Sequence, residues 1–155
     1  TPKTRQIVLA TTGALMIVAA GIFMVRGASP ISFGLRPILA TMFAPLAFLT
    51  GVPWSEAGTV GELFGIKLML NEFVAYTELS VLLAEGTLSP KSELIASYAL
   101  CGFANFASIG IQIGGIGSLA PSRRSDLARL GLRAVLAGML ASLTVATLAG
   151  ILSSF

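Results

Sequence analysis

The fold of this chain is decided by the stretch Leu68-Met69-Leu70-Asn71-Glu72-Phe73-Val74-Ala75-Tyr76, which places an ionisable glutamate inside an apolar segment. A carboxylate in the hydrocarbon core of a bilayer costs roughly 2.5–3.5 kcal/mol on insertion scales, so such a group normally faces a cavity, an ion or a substrate. We therefore interpret Glu72 as a functional carboxylate. The alternatives are a structural ion pair with Lys67, five residues earlier, and a role in the turn at Asn71.

The composition indicates a membrane protein. Of the 155 residues, 55% are hydrophobic and 11% are charged, and the mean hydropathy is +0.89, whereas a soluble domain carries about 25% charged residues. A hydrocarbon core about 30 Å thick requires about 20 apolar residues in a helix. Three charge-free runs meet this requirement, namely Gln6–Val25, Leu94–Ser122 and Ala134–Phe155.

Several function classes are disfavoured by the charge pattern and by rare residue types. The net charge is +3, but Lys and Arg cluster at the ends of apolar segments and form no continuous basic stripe, so no nucleic acid partner is expected. The chain has no histidine, and its single cysteine, Cys101, can form no internal disulfide. Ordinary zinc sites and Ser-His-Asp chemistry are disfavoured, and we expect neither an enzyme nor a bound cofactor.

The pattern of apolar runs, breakers and charges predicts an all-α integral membrane fold. Its five segments are a spanning helix at 6–25, an interfacial helix at 31–52, a re-entrant helical hairpin at 55–86, a broken spanning helix at 94–119 and a closing spanning helix at 125–155. The chain begins at Thr1 without Met, and its first apolar segment is longer than the core of a signal peptide. We interpret the chain as the C-terminal piece of a longer protein.

Charged residues, prolines and glycines determine the predicted structure of the three middle segments. Segment 31–52 contains Pro37 and Pro45, is followed by Pro53 and has a helical apolar face, which favours a position at the membrane surface. Segment 55–86 carries six charged side chains, too many for one lipid-facing helix, so we predict two arms, 56–70 and 73–84, that turn back at a cavity wall. Segment 94–119 is predicted to open near Gly102 and Asn105, as discontinuous transporter helices do.

The positions of the basic residues predict the orientation. Two lie before segment 6–25 and four lie between the charge-free runs Leu94–Ser122 and Ala134–Phe155, at positions 123, 124, 129 and 133. The positive-inside rule places both regions in the cytoplasm, which requires segments 31–52 and 55–86 to make no net crossing. The N-terminus of the chain is then cytoplasmic and the C-terminus lies outside.

Three further polar or aromatic positions are candidate ligand contacts. Asn105 and Ser108 stand three residues apart and so share one face of a helix, where they offer an amide and a hydroxyl. The alternative for both is hydrogen bonding between helices. Phe103 could stack on a planar ligand, or could simply pack. An ionised Glu72 accepts hydrogen bonds only, which suits a sugar diol, an amide donor or a cation.

Several stretches of this sequence resemble the C-terminal half of the concentrative nucleoside transporters. The stretches are Gly65–Leu68, Asn71–Tyr76, Ser97–Asn105, Ile113–Gly117 and Ala120–Ala128. They occur in the family's order and cover essentially the whole chain.

The resemblance implies two inverted repeats, each with a span, an interfacial helix, a re-entrant hairpin, a broken helix and a closing span, assembled as a homotrimer. This chain corresponds to the second repeat. In the family, the residues matching Glu72, Asn105 and Ser108 contact the ribose, and the residue matching Phe103 lies beside the ligand. The resemblance places the contacts to the base and the sodium ligands in the other, N-terminal half.

We therefore expect half of a nucleoside symporter that is driven by Na⁺ or H⁺ and works by alternating access in the plasma membrane, in bacteria the inner membrane. Its expected partners are the nucleoside, the lipid bilayer, the N-terminal half of the same protein and two further copies. One alternative is a helix-packing or assembly domain with no ligand of its own. Another is an intramembrane enzyme with Glu72 as general base, although no second catalytic group accompanies it.

Overall fold

The computed structural model describes residues 34–153, and this part of the chain is helical with no strand. Its elements are α1 (Leu35–Leu49), α2 (Trp54–Met69), α3 (Glu72–Glu85), α4 (Pro90–Leu100), α5 (Phe106–Leu119), a short 3₁₀ turn (Pro121–Arg123) and α6 (Arg124–Leu152). The predicted all-α class is confirmed for these residues. Residues from Pro37 onward form one compact unit. The predicted span at 6–25 lies outside the described residues.

Helices α1 and α2 meet at a sharp bend of 115°. α1 ends at Leu49, and Gly51 follows with a φ of 101°, a conformation that only glycine adopts without strain. Pro53 then precedes α2 with the extended dihedrals φ −56° and ψ 145°. Because a proline favours the first turn of a helix over its interior, the chain changes direction before α2 begins.

Two glycines of α2 let α1 approach closely. A Cβ at Gly61 would lie 2.6 Å from the backbone nitrogen of Ala44 and 2.7 Å from the carbonyl carbon of Phe43. A Cβ at Gly65, one turn later, would lie 2.8 Å from the Cβ of Leu39. Small residues four apart allow this backbone-to-backbone contact between helices.

Helices α2 and α3 form a helical hairpin joined by only Leu70 and Asn71. α3 ends at Gly86, which has a left-handed φ of 63° and donates its backbone N–H to the carbonyls of Leu82 and Leu83. α2 begins one residue before the predicted start of the segment at 55, directly after Pro53, and no side chain caps its first turn.

Helices α4 and α5 are separated by five non-helical residues, 101–105, and both pack against α6. α4 begins at Pro90, four residues before the predicted start of this segment, because Ser89 accepts a hydrogen bond from the backbone N–H of Ser92 and Pro90 occupies the first helical position. Gly131 of α6 receives the Ile109 side chain of α5, and Gly150 receives Ile95 of α4. The long closing helix therefore supports both halves of the interrupted one.

One helical stretch of the described part is long and apolar enough by itself to cross a membrane. It comprises the 3₁₀ turn and α6, 32 residues from Pro121 to Leu152. α1 and α2 together are also sufficiently apolar, but they are strongly bent, and α5 is apolar but shorter.

We predict that Gly61→Ala destabilises the protein by roughly 1–3 kcal/mol, because the added methyl group would collide with backbone atoms of α1 that cannot move aside. Gly58, on the same helix, has no atom within 4 Å of its would-be Cβ. Gly58→Ala should therefore be neutral or gain up to about 1 kcal/mol from helix propensity. Thermal unfolding of the detergent-solubilised protein measures both variants. Equal melting temperatures for the two would contradict the close contact at Gly61.

Candidate functional site

The N-terminal ends of α3 and α5 meet, and each is capped by an asparagine. The side-chain oxygen of Asn71 accepts a hydrogen bond from the backbone N–H of Val74 at 2.9 Å. The side-chain oxygen of Asn105 accepts one from the backbone N–H of Ser108 at 2.8 Å. Asparagine is among the preferred caps because it satisfies backbone donors that the first turn leaves unpaired. Asn71 therefore caps the helix that follows the turn between α2 and α3.

The two ends are joined by a side-chain hydrogen bond. The amide nitrogen Nδ2 of Asn105 donates to Oε2 of Glu72 at 3.1 Å. Asn105 can cap α5 and bind Glu72 at once because its amide carries a separate acceptor and donor. Glu72 is the first residue of α3, where the positive end of the helix dipole favours a carboxylate.

The structure thus brings three of the four predicted site residues together. Asn105 and Ser108 are each 1% exposed, whereas Glu72 is half-buried. The hydroxyl of Ser108 donates to the backbone oxygen of Asn105 at 2.6 Å and keeps its lone pairs as acceptors. Phe103 lies in the break between α4 and α5 and is 62% exposed, so its ring is not packed within the described part of the chain.

Gly102 and Ala104 set the position of the break against α6. A Cβ at Gly102 would collide with the hydroxyl oxygen of Ser142 on α6. Ala104 already lies in contact with α6, because its Cβ would be 3.1 Å from a Cβ placed at Gly138. Glycine at position 102 is therefore explained by the lack of room for a side chain and not by its backbone conformation. A side chain at this position would force the hydroxyl of Ser142 to move aside.

Polar contacts join the hairpin to α4 at both ends of α2. The carboxylate of Glu56, at the start of α2, accepts hydrogen bonds from the backbone N–H and hydroxyl of Ser89, at 3.1 and 3.0 Å. The ammonium of Lys67, near the end of α2, donates to the backbone oxygen of Ala99 at 2.7 Å. The start of α2 contacts the start of α4, and the end of α2 contacts the end of α4, so the two helices run parallel.

A further contact ties α3 to α4. The hydroxyl of Tyr76, one turn after Glu72, donates to the backbone oxygen of Ser97 at 2.7 Å. Together with the bond between Glu72 and Asn105, it places α3 antiparallel to the broken helix. The first turn of α3 is thereby held from two sides.

Sequence reasoning considered Lys67 only as an alternative partner of Glu72. In the structure the hydrogen bond of Lys67 goes to Ala99 instead, and Glu72 takes its hydrogen bond from Asn105. One sequence signal points to this role. Lys67 is the only positively charged residue of the predicted arm 56–70, and the predicted broken helix has to end near that arm. Between residues 34 and 153, no three acidic, cysteine or histidine side chains come together as they would to bind a metal ion.

The chain is similar to known transport proteins. Residues 6–150 match the family model described as the C-terminus of Na⁺-dependent nucleoside transporters. The chain is 54% identical over 132 residues to an uncharacterised transporter, YutK, of Bacillus subtilis, covering 85% of this chain and 31% of that protein. It is 48% identical to the nucleoside permease NupC of Helicobacter pylori, covering 78% of this chain and 29% of that protein.

A mammalian relative and solved structures extend the similarity. The chain is 48% identical to sodium/nucleoside cotransporter 1 of Mus musculus, covering 74% of this chain and 20% of that protein. It matches CNTnw in an inward-facing, substrate-bound state with a TM-score of 0.79 and 44% identity, covering 97% of this chain and 37% of that one. A variant of CNTnw in an outward-facing state matches with a TM-score of 0.78 and 42% identity, covering 96% and 39%.

These relatives are much longer than the chain, which spans about a third of their length or less. The family match nevertheless covers nearly all of its residues. The chain belongs to the Na⁺-dependent, or concentrative, nucleoside transporter family, and it corresponds to the C-terminal region that the family model describes.

Proposed function

We propose that this chain is the C-terminal half of a nucleoside symporter, driven by Na⁺ or H⁺, that binds the ribose of its substrate near the middle of the membrane. The observation that carries the proposal is the hydrogen bond between Asn105 and Glu72, made where two helices begin. It joins a carboxylate to an amide, and the hydroxyl of Ser108 lies in the same first turn as Asn105. No bond of the substrate is broken or made in this function.

The donors and acceptors of this cluster match a sugar with neighbouring hydroxyls. An ionised carboxylate has room for about four hydrogen bonds, and Asn105 takes one of them on Oε2. The remaining positions of Glu72 can accept from ribose hydroxyls. Asn105 has a second N–H to donate, Ser108 can accept through its hydroxyl oxygen, and the exposed ring of Phe103 can lie against the nucleoside.

The helix lengths support a site at mid-depth. At a rise of 1.5 Å per residue, α2 and α3 are about 24 and 21 Å long, and α4 and α5 about 16 and 21 Å. Each is shorter than a hydrocarbon core of about 30 Å, whereas the 29-residue α6 is about 43 Å long. We therefore propose that α2 and α3 form a re-entrant hairpin, that α4 and α5 form one interrupted span, and that α6 is the closing span. The bend before α2 favours α1 as the interfacial helix.

The surroundings of the chain follow from the family and from the charge pattern. We place the N-terminus of the chain in the cytoplasm and its C-terminus outside, in the plasma membrane, which in bacteria is the inner membrane. The N-terminal half of the same protein would complete the nucleoside site and hold the coupling ion, and the whole would assemble as a homotrimer. The similarity to CNTnw in both inward-facing and outward-facing states favours alternating access by movement of this unit.

The main alternative is a helix-packing domain, in which the bond between Asn105 and Glu72 only joins helices. The near-complete burial of Asn105 is the observation in its favour. The alternatives differ in what the loss of one side-chain group does to ligand affinity at equal folding. For an intramembrane enzyme, a mass-spectrometric search for altered substrate after transport is the matching test.

Glu72→Gln should lower nucleoside affinity and uptake by roughly ten- to a hundredfold in the complete transporter, because hydrogen bonds to charged groups contribute about 1.5–3 kcal/mol. Glutamine keeps the size of the side chain but removes its charge and one acceptor oxygen. Uptake of labelled uridine and equilibrium binding measure the effect. The control is Glu85→Gln, a change at the exposed end of the same helix, which should leave both unchanged. Wild-type affinity in Glu72→Gln would remove Glu72 from the site.

Asn105→Asp separates the two roles of Asn105. Aspartate still caps α5 through an oxygen, so the helix should persist, but it cannot donate to Glu72 and it places a second carboxylate beside it. We expect ligand binding to fall at least about tenfold, as for the loss of a charge-assisted hydrogen bond. The second buried carboxylate also lowers the melting temperature, so binding is compared at a temperature at which both proteins are folded.

The matched control for this prediction is Asn71→Asp. The structure uses only the acceptor oxygen of Asn71, and aspartate caps a helix about equally well, so binding and stability should both be preserved. If Asn105→Asp lowers stability and leaves affinity intact, the helix-packing alternative is favoured.

A further inference from the structure

Lys67 carries a charge at a position that excludes water almost completely. Its side chain lies in the last turn of α2, and the residue is 3% exposed. The remainder of the transporter can only cover it further. Lysine is almost never buried to this degree unless its charge is paired. The ammonium therefore has a function in the fold or in the site.

The ammonium lies at the carbonyl end of α4. It donates to the backbone oxygen of Ala99, in the last turn of α4, at 2.7 Å. It also lies 3.4 Å from where a Cβ of Gly102 would stand, which places it directly beside the break. The last carbonyls of a helix have no partner within the helix and carry its negative dipole end. A cation is the group that best satisfies them.

Glu72 lies five residues after Lys67, across the two-residue hairpin turn, and opposite charges attract each other more strongly where water is excluded. Glu72 itself is held by Asn105 on the other side of the break. One buried cation thus lies at the carbonyl end of α4, and the carboxylate at the start of α3 follows across the turn. In discontinuous transporter helices, such carbonyl ends commonly coordinate the coupling ion.

We propose that Lys67 is a positioning residue and that its ammonium is the fixed cation of this half of the transporter. The ammonium is attached to α2 and occupies the position beside a broken helix that a free coupling ion occupies in other transporters. Its charge holds Glu72 in the ligand-binding position. The inference rests on the proposed function, because it takes Glu72 to bind the nucleoside. Lys67 itself does not touch the ligand.

The test is a double-mutant cycle in the complete transporter. Binding of labelled uridine to the purified protein is measured for Lys67→Met, Glu72→Gln and the two together, with a check that each variant is folded. Methionine keeps the length of the side chain and removes its charge. Lys67→Met should weaken binding about tenfold or more, and it should have little further effect when Glu72 is already glutamine, because coupled residues are not additive.

Lys91→Met is the matched control, since this lysine is exposed at the start of α4, and it should bind as the wild type does. The proposal is overturned if Lys67→Met binds uridine as tightly as the wild type does. It is also overturned if the double variant loses affinity by the product of the two single losses, because the two residues would then act independently. If Glu72→Gln alone leaves binding unchanged, the proposed ribose site fails instead, whatever Lys67 does.

A second variant keeps the test decisive where Lys67→Met reduces the yield of folded protein. Lys67→Ala leaves a cavity that methylammonium can enter, whereas methionine fills the same space. Restoration of uridine binding to Lys67→Ala by methylammonium supports a positional cation. Binding that stays weak at every amine concentration overturns it.

Discussion

The described part of this chain depends on one constraint: a helix that ends where water is excluded must have the backbone groups at its end satisfied by the protein itself. α3 and α5 both begin beside the break, and α4 ends there. Asn71 and Asn105 supply the acceptors for the two starting ends, and Lys67 supplies the donor for the carbonyl end. The polar cluster follows from the need to end three helices in one place.

The groups that satisfy these ends are also the groups that can hold a ligand. The amide of Asn105 uses its oxygen for the helix and one N–H for Glu72, which leaves its second N–H available. Glu72 is fixed by one bond to one of its oxygens and still has acceptor capacity. In the proposed ribose site, a side chain held in this way loses little conformational freedom on binding, so more of the interaction energy contributes to affinity.

The parts of this arrangement that depend on local signals are predictable from the sequence. Asn71 with Glu72 marked the turn, and Gly102 with Asn105 marked the break, because both interrupt apolar runs with residues typical of helix ends. The start of α4 was missed by four residues, although Ser89 followed by Pro90 is itself a helix-start signal.

The contacts between distant residues could not be read from the sequence. Asn105 meets Glu72 across 33 positions, and Lys67 meets Ala99 across 32. The close approaches at Gly61 and Gly102 depend on what lies opposite in space. Glycines at 58 and 114, which have nothing within 4 Å of a would-be Cβ, look no different in the sequence.

The fastening of the hairpin also limits how the site can move. Contacts join it to α4 at the start of α2, at the end of α2 and on α3, through Glu56, Lys67 and Tyr76. For the hairpin to swing away from α4, the ammonium of Lys67 would have to leave its carbonyl partner while remaining out of water, and an unpaired buried charge is strongly destabilising. In the proposed alternating-access cycle, the lower-energy movement carries α2 and α3 together with α4 and α5, with the proposed site intact between them.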